Sequence, residues 1–126
     1  LYADDLLAAD YRVVAYVPNW IEVNAYVDQI PFEKLTHICI AFENPTNEGE
    51  ISFNPVNRAI IDAAHQRQVK VLVSIGGGNA SSDEKLRAAY FDLISLPKRT
   101  QFVQRLMEYV AKHEFDGIDV DLEGEA

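Results

Sequence analysis

The sequence has little cysteine, an excess of acidic over basic residues and no long apolar run. Its single cysteine, Cys39, excludes an internal disulfide, and the apolar run 38–40 around it predicts a buried thiol. Lys and Arg number 11 against 20 Asp and Glu, a formal net charge of -9. We therefore expect no nucleic-acid or membrane partner, since both are anionic, whereas a neutral glycan is compatible with this charge. No run approaches the roughly 18 apolar residues of a membrane-spanning helix.

Four short, β-branched apolar runs predict strands at residues 12–17, 36–42, 70–75 and 117–121. Helical patterns lie between them, and Asn54 with Pro55 reads as a capped helix start. The predicted helices are 54–68, 83–94, a third opened by 95–97 and ended before 115, and a weaker one at 22–29. This alternation predicts βαβ units and a parallel sheet, either open and doubly wound or closed into a barrel. The chain ends soon after the fourth strand, so we expect a fragment of a longer chain.

Acidic residues occupy alternate positions of the fourth predicted strand. Side chains alternate across a strand, so Asp119, Asp121 and Glu123 share one face. The Cα atoms of one acid and the next would be about 6.6 Å apart. The other face should pack against helices through Ile118, Val120 and Leu122. If the three carboxyls are confined in a barrel interior, we expect them not to ionise together easily, and a carboxyl that keeps its proton near neutral pH is what a general acid needs. Glu123 is last and would lie at the carboxyl-end mouth of a barrel, where such folds carry their chemistry.

Three other interpretations of this strand stay open. The acids could form the solvent-facing side of an edge strand, or part of a calcium loop, since residues 119–124 partly imitate that pattern. They could also form a divalent-metal site, although the nearest histidine is His113, on the preceding helix. We rank the catalytic interpretation first, assign no metal site and expect no cofactor.

Residues 116–123 read D-G-I-D-V-D-L-E and residues 74–77 read S-I-G-G. These segments, together with 13–20 and 35–42, resemble glycoside hydrolase family 18, the chitinases and related endo-β-N-acetylglucosaminidases, whose motifs are D-G-x-D-x-D-x-E and S-x-G-G. The resemblance implies a (β/α)₈ TIM barrel, of which this chain supplies about the first four βα units. Residues 1–126 would then be the N-terminal half of one catalytic domain, with 1–11 as a tail. The remaining half of the barrel would complete the fold.

The resemblance also implies retaining, substrate-assisted hydrolysis of β-1,4-linked N-acetylglucosamine in chitin-like oligomers or the N-glycan core. Glu123 would protonate the glycosidic oxygen and later activate water. Asp121 would orient the N-acetyl group, whose carbonyl oxygen attacks the anomeric carbon. Asp119 would lie behind Asp121 and share a proton or a hydrogen bond with it.

Further residues match supporting positions of the family. Tyr16 and Ser74 match residues that contact the inner aspartate, and Gly76 and Gly77 let the third strand turn beneath a sugar. Trp20 could stack on a sugar at a distant subsite or serve only in packing.

The resemblance leaves the substrate and one alternative function open. Many family chitinases have aromatic residues where this chain has Leu122 and Gly124, which keeps a glycan-core endoglycosidase open. The alternative function is a non-hydrolytic, lectin-like glycan-binding protein. Such proteins usually lose the terminal acid, so the presence of Glu123 favours an enzyme. From the substrate class we expect a secreted, periplasmic or cell-surface protein.

Overall fold

The computed structural model describes residues 11–123 and contains one parallel sheet. Its strands are β1 (Val14–Pro18), β2 (His37–Ala41), β3 (Lys70–Gly76) and β4 (Gly117–Asp121). They pair in chain order, each parallel to the next. This arrangement confirms the predicted βαβ units, and every predicted strand is present with ends that differ by no more than two residues. Of the predicted N-terminal tail, only Tyr11 lies within the described residues.

Helices lie in each of the three connections between consecutive strands. They are α1 (Val23–Tyr26), α2 (Asn57–Gln66), α3 (Gly78–Ser82), α4 (Glu84–Leu93) and α5 (Arg99–His113), with 3₁₀ turns at Val27–Gln29 and Phe32–Lys34. The predicted helix at 83–94 is confirmed as α4, and the Asp83 side chain caps it by accepting hydrogen bonds from the backbone N–H groups of Lys85 and Leu86. Helix α3 was not predicted, because the sequence G-N-A-S-S has no apolar period.

Two predicted helix starts are wrong by a few residues. Asn54 does not cap α2: its Oδ1 accepts from the Val56 N–H at 3.1 Å, and the Asn57 N–H donates to the Asn54 carbonyl at 2.9 Å. Residues 54–57 therefore form a turn that precedes the helix. Helix α5 likewise begins at Arg99, after a turn in which the N–H groups of Lys98 and Arg99 both donate to the carbonyl of Ser95.

The core lies between the outer face of the sheet and the helices. Its fully buried members include Ile38 and Ile40 of β2, Val71 and Val73 of β3, and Ile60 and Ile61 of α2. These β2 and β3 residues alternate with inner-face positions, so helix packing uses one face and leaves the other for polar groups. Cys39 is buried on the inner face at 2% exposure, as expected. Within residues 11–123, no helix is long and apolar enough to cross a bilayer.

The outer face of β4 differs from the prediction. Ile118 packs against the core, but Val120 is 64% exposed and Leu122 is 41% exposed. β4 is the edge strand of the described sheet and pairs only with β3. No helix follows it within the described residues, so the two side chains stay partly exposed.

Candidate active site

The strand register brings the polar residues of the inner face together at the carboxyl end of the sheet. Ser74 of β3 is paired with Asp119 of β4, and Gly76 is paired with Asp121. Paired residues of neighbouring parallel strands project to the same face, so Ser74 and Asp119 lie side by side. Tyr16 of β1 is on this face as well. It is paired with Cys39 of β2, which is in turn paired with Leu72, two residues before Ser74 on β3.

Asp119 is held by two hydroxyl groups from other strands. Its Oδ2 accepts a hydrogen bond from the Tyr16 hydroxyl at 2.9 Å and one from the Ser74 hydroxyl at 2.6 Å. Both contacts with the inner aspartate were expected from the resemblance. The hydrogen bond to Asp119, followed by burial and the negative charge of that carboxylate, raises the pKa of Tyr16 to about 12. Tyr16 therefore remains a protonated donor at neutral pH.

The expected link between Asp119 and Asp121 is not present. Both hydrogen bonds to the Asp119 side chain come from Tyr16 and Ser74, and in residues 11–123 none joins the two aspartates. Asp121 is the last residue of β4, and its carboxylate has no hydrogen-bond partner in the part of the chain that the structure describes. The Asp121 side chain is thus available to a ligand, while Asp119 is already engaged.

Gly76 and Gly77 allow β3 and β4 to approach each other closely at this point. Their φ angles are +102° and +79°, and a Cβ on Gly76 would lie 2.2 Å from the carbonyl oxygen of Asp121. The Gly77 N–H donates to that same carbonyl at 2.7 Å. A Cβ on Gly77 would lie 2.7 Å from the ring of Phe42. The two glycines therefore serve the packing of the strand ends, a more specific need than the turn predicted from sequence.

Glu123 lies two residues beyond the end of β4 and is exposed. The shared face predicted for three acids therefore applies to strand residues Asp119 and Asp121, because the strand ends before Glu123. The backbone of Glu123 is held instead by α3, since the Ser81 hydroxyl donates to the Glu123 carbonyl at 2.7 Å. Its carboxylate makes no hydrogen bond within the described residues. The catalytic roles of these acids remain predictions.

A cleft of about 530 Å³ opens beside the acidic strand end. One wall is aromatic: the rings of Trp20 and Phe42 stack with centroids 6.1 Å apart and planes 11° from parallel. Trp20 is 68% exposed, so a face of this pair is open to a ligand. Sequence reasoning missed Phe42, although its place directly after β2 was a usable signal. The cleft lining is Asn19, Trp20, Phe42, Asn44, Gly76, Gly78 and Asn79.

A buried carboxylate that sequence reasoning also missed organises the base of this wall. Glu43 is 3% exposed, and its Oε1 accepts from Asn19 Nδ2 at 3.0 Å, the Asn54 N–H at 2.7 Å and Asn57 Nδ2 at 2.8 Å. The Ser52 hydroxyl donates to Oε2. Glu43 thereby joins the end of β1 to the β2–α2 loop and to α2.

The calcium-loop interpretation is wrong, because Asp119 and Asp121 are paired residues of a strand. The solvent-facing interpretation does not fit Asp119, whose partner Ser74 is fully buried. Among residues 11–123, no group of three His, Cys, Asp or Glu side chains is arranged to hold a metal ion.

Comparison with known proteins gives a family match and several relatives. The family model described as "Glycosyl hydrolases family 18" matches residues 12–126. A "chitinase-like effector" of Moniliophthora roreri is 31% identical over 115 residues, which are 86% of this chain and 27% of that protein. The family 18 chitinase ChiB of Flavobacterium johnsoniae superposes with a TM-score of 0.75 at 32% identity, over 90% of this chain and 37% of the chitinase. The predicted fold, part of a TIM barrel, is thereby confirmed.

The fold likeness extends to human YKL-39, described as a pseudo-chitinase with retained chitooligosaccharide binding properties. The TM-score is 0.68 at 21% identity, over 89% of this chain and 32% of YKL-39. At that identity the likeness concerns the fold alone. This chain spans between a quarter and two fifths of the length of these three proteins.

Proposed function

Because this chain belongs to glycoside hydrolase family 18, we propose that the protein carrying it hydrolyses β-1,4-linked N-acetylglucosamine in chitin-like oligomers or the N-glycan core. The observation that carries the proposal is the state of the two strand acids. Asp119 is fixed by two hydroxyl donors, while among residues 11–123 no hydrogen bond engages the carboxylate of Asp121 on the same face. One acid is thus committed to support and its neighbour is available to substrate. Residues 1–126 would form the N-terminal half of the catalytic domain, with the rest of the barrel completing the cleft.

The proposed mechanism is retaining and uses the substrate's own N-acetyl group. Glu123 donates a proton to the glycosidic oxygen as the carbonyl oxygen of that group attacks the anomeric carbon. The glycosidic bond breaks, and the leaving sugar departs with the protonated oxygen as its hydroxyl group. Asp121 orients the N-acetyl group and stabilises the positive charge of the resulting oxazolinium ion. Glu123, now deprotonated, then takes a proton from water as that water attacks the anomeric carbon. The bond to the N-acetyl oxygen breaks, which regenerates the N-acetyl group and restores the original configuration. Tyr16 and Ser74 hold Asp119, and Asp119 supports Asp121 from two residues earlier on the same face of β4.

The cleft chemistry supports a neutral sugar polymer as substrate. The stacked Trp20 and Phe42 rings offer an apolar surface to the faces of sugar rings, and the exposed amide of Asn79 in the same cleft is suited to sugar hydroxyls. The formal net charge of -9 does not oppose an uncharged ligand. Substrates of this kind lie outside the cytoplasm, so the protein would be secreted, periplasmic or at the cell surface.

A second candidate is a glycan-binding protein without hydrolytic activity. The fold is compatible with such a role, since YKL-39, described as a pseudo-chitinase with retained chitooligosaccharide binding properties, shares it. The presence of Glu123, together with an Asp121 carboxylate that no described residue binds, favours hydrolysis over binding alone.

The test uses the full polypeptide that carries this chain, assayed on fluorogenic chitobiose and chitotriose. Glu123→Gln removes the proton donor and should lower kcat on the order of 10²–10⁴-fold. Glu22→Gln, at an exposed position near α1, is the matched control and should leave kcat unchanged. If the wild type turns over neither these substrates nor an N-glycoprotein, hydrolysis is excluded. Retained chitooligosaccharide binding would then identify a lectin.

A further inference from the structure

The carboxyl end of β3 is held by the side chain of Asn44, three residues past the end of β2. The Gly76 N–H donates to Asn44 Oδ1 at 2.9 Å, and Asn44 Nδ2 donates to the Gly76 carbonyl at 3.2 Å. One side-chain amide thus pairs with both backbone groups of Gly76, as a neighbouring strand would. The last backbone bond between these two segments joins the Glu43 N–H to the Ser74 carbonyl, so Asn44 extends the β2–β3 pairing by one further step.

Asn44 is itself fixed from α4. The Tyr90 hydroxyl donates to Asn44 Oδ1, and Tyr90 is 4% exposed with its ring stacked on Phe102. Burial raises the pKa of Tyr90 well above its ordinary value, so the hydroxyl remains a donor throughout the neutral range. A carbonyl-type oxygen with two donors and an amide N–H₂ with one acceptor leaves Asn44 a single favourable orientation.

Gly76 in turn is packed directly against Asp121. The two residues are partners in the β3–β4 register, and the Gly77 N–H donates to the Asp121 carbonyl at 2.7 Å. The absence of a Cβ at Gly76 is what permits this approach, since one would lie 2.2 Å from that carbonyl oxygen. A shift of the Gly76 backbone therefore shifts Asp121, because no space separates them.

We propose that Asn44 is a positioning residue that sets the place of Asp121 through Gly76 and Gly77. The inference rests on the proposed hydrolytic function, in which Asp121 orients the N-acetyl group for attack. A displacement of about 1 Å in a reacting group can lower a rate on the order of 10²-fold. Loss of Asn44 should therefore act on the chemical step more than on substrate binding.

Kinetics of the full polypeptide provide the first test. Asn44→Ala should lower kcat about 10- to 100-fold on chitotriose and change KM by less than about threefold. Tyr90→Phe removes only the hydroxyl that orients Asn44 and should lower kcat by a smaller factor, about 2- to 10-fold. Asn47→Ala is the matched control, an exposed asparagine in the same loop that does not contact Gly76, and should leave both constants unchanged. A lower thermal midpoint for Asn44→Ala with unchanged kcat per folded molecule would show a purely structural role and overturn the proposal.

Amide hydrogen exchange provides a second test that does not depend on activity. Asn44→Ala leaves the Gly77 N–H and the Asp121 carbonyl in place, so faster exchange at Gly77 would report transmitted loosening of the β3–β4 contact. We expect the Gly77 N–H to exchange at least about tenfold faster in Asn44→Ala than in the wild type. In Asn47→Ala its exchange rate should be unchanged. Unchanged exchange at Gly77 would contradict the proposal. Absence of hydrolysis by the wild type would refute the proposed function instead, and the exchange result would still decide whether Asn44 holds Asp121.

Discussion

Replacement of Glu43 tests whether a buried carboxylate stabilises this fold. Glu43→Leu fills a similar volume with an apolar side chain and removes every acceptor. Asn19 Nδ2 keeps other acceptors in the carbonyl of Phe42 and in Asn57 Oδ1. The Ser52 hydroxyl loses Glu43 Oε2, but Ser52 is exposed and its hydroxyl can donate to water instead. The Asn54 N–H and Asn57 Nδ2 lose the acceptor they share, Glu43 Oε1, and Asn57 is fully buried.

The expected magnitude follows from those two donors. Each buried polar group left unsatisfied costs about 1–3 kcal/mol, so Glu43→Leu should lower the free energy of unfolding by about 2–6 kcal/mol. Glu43→Gln keeps one oxygen for the three donors on Oε1 and can donate its N–H₂ to the Ser52 hydroxyl. It weakens charge-assisted bonds to neutral ones and should lower the same free energy by about 1–2 kcal/mol. The predicted order of stability is wild type, then Gln, then Leu.

The measurement is urea unfolding of the full polypeptide followed by circular dichroism. Glu22→Leu makes the same chemical change at an exposed position and should alter stability by no more than about 0.5 kcal/mol. An opposing effect makes the outcome informative. Burial of the Glu43 charge is itself unfavourable, and apolar replacements of buried ionic groups can be neutral or stabilising. A Glu43→Leu variant as stable as the wild type would show that this effect dominates and that our reasoning from unsatisfied donors is wrong.

Three further predictions concern the inner face of the sheet and the ends of its strands. Tyr16→Phe removes one donor to Asp119 and should lower kcat about 10-fold with little change in thermal midpoint, since Tyr16 is 57% exposed; an unchanged kcat on chitotriose would contradict the assigned support role. Gly76→Ala should lower the free energy of unfolding by at least about 3 kcal/mol in urea titrations, because φ is +102° and the new Cβ would clash with the Asp121 carbonyl. Gly78→Ala is the control: a Cβ there meets nothing within 4 Å, so this variant should not destabilise the protein. Burial, followed by the Asp119 charge, raises the pKa of Cys39 to about 11. Alkylation of Cys39 by iodoacetamide should therefore be slow at pH 8 and become faster as the pH rises towards 11, and it should be fast at pH 8 once urea unfolds the chain. Rapid labelling of the folded protein at pH 8 would refute this prediction.

The sequence predicted the parts of this molecule that depend on local pattern. Strand alternation in β4 placed Asp119 and Asp121 on one face, and helical spacing located the long helix α5. Local pattern could not predict where β4 ends, so it placed Glu123 on the strand face although the strand ends at Asp121. It also could not predict that Val120 would be exposed, since that depends on what covers an edge strand.

The residues that sequence reasoning missed are polar residues whose partners lie far along the chain. Glu43 and Asn44 belong to the segment F-E-N-P-T-N, which reads as an ordinary loop. Their significance comes from contacts with Asn57, fourteen residues away, and with Tyr90, forty-six residues away. Such contacts exist only once β1, β2 and β3 are in register, so no local period announces them.

The adjacent residues Glu43 and Asn44 of the loop after β2 stabilise opposite sides of the cleft. Glu43 is buried against the end of β1 and α2, and so fixes the wall that carries Trp20. Asn44 points the opposite way along the sheet, to Gly76, and so fixes the strand end that carries Asp121. Because successive residues of an extended segment project to opposite sides, one short stretch can anchor both. Substitutions at Glu43 should therefore affect stability and the aromatic wall first, and those at Asn44 the chemical step first.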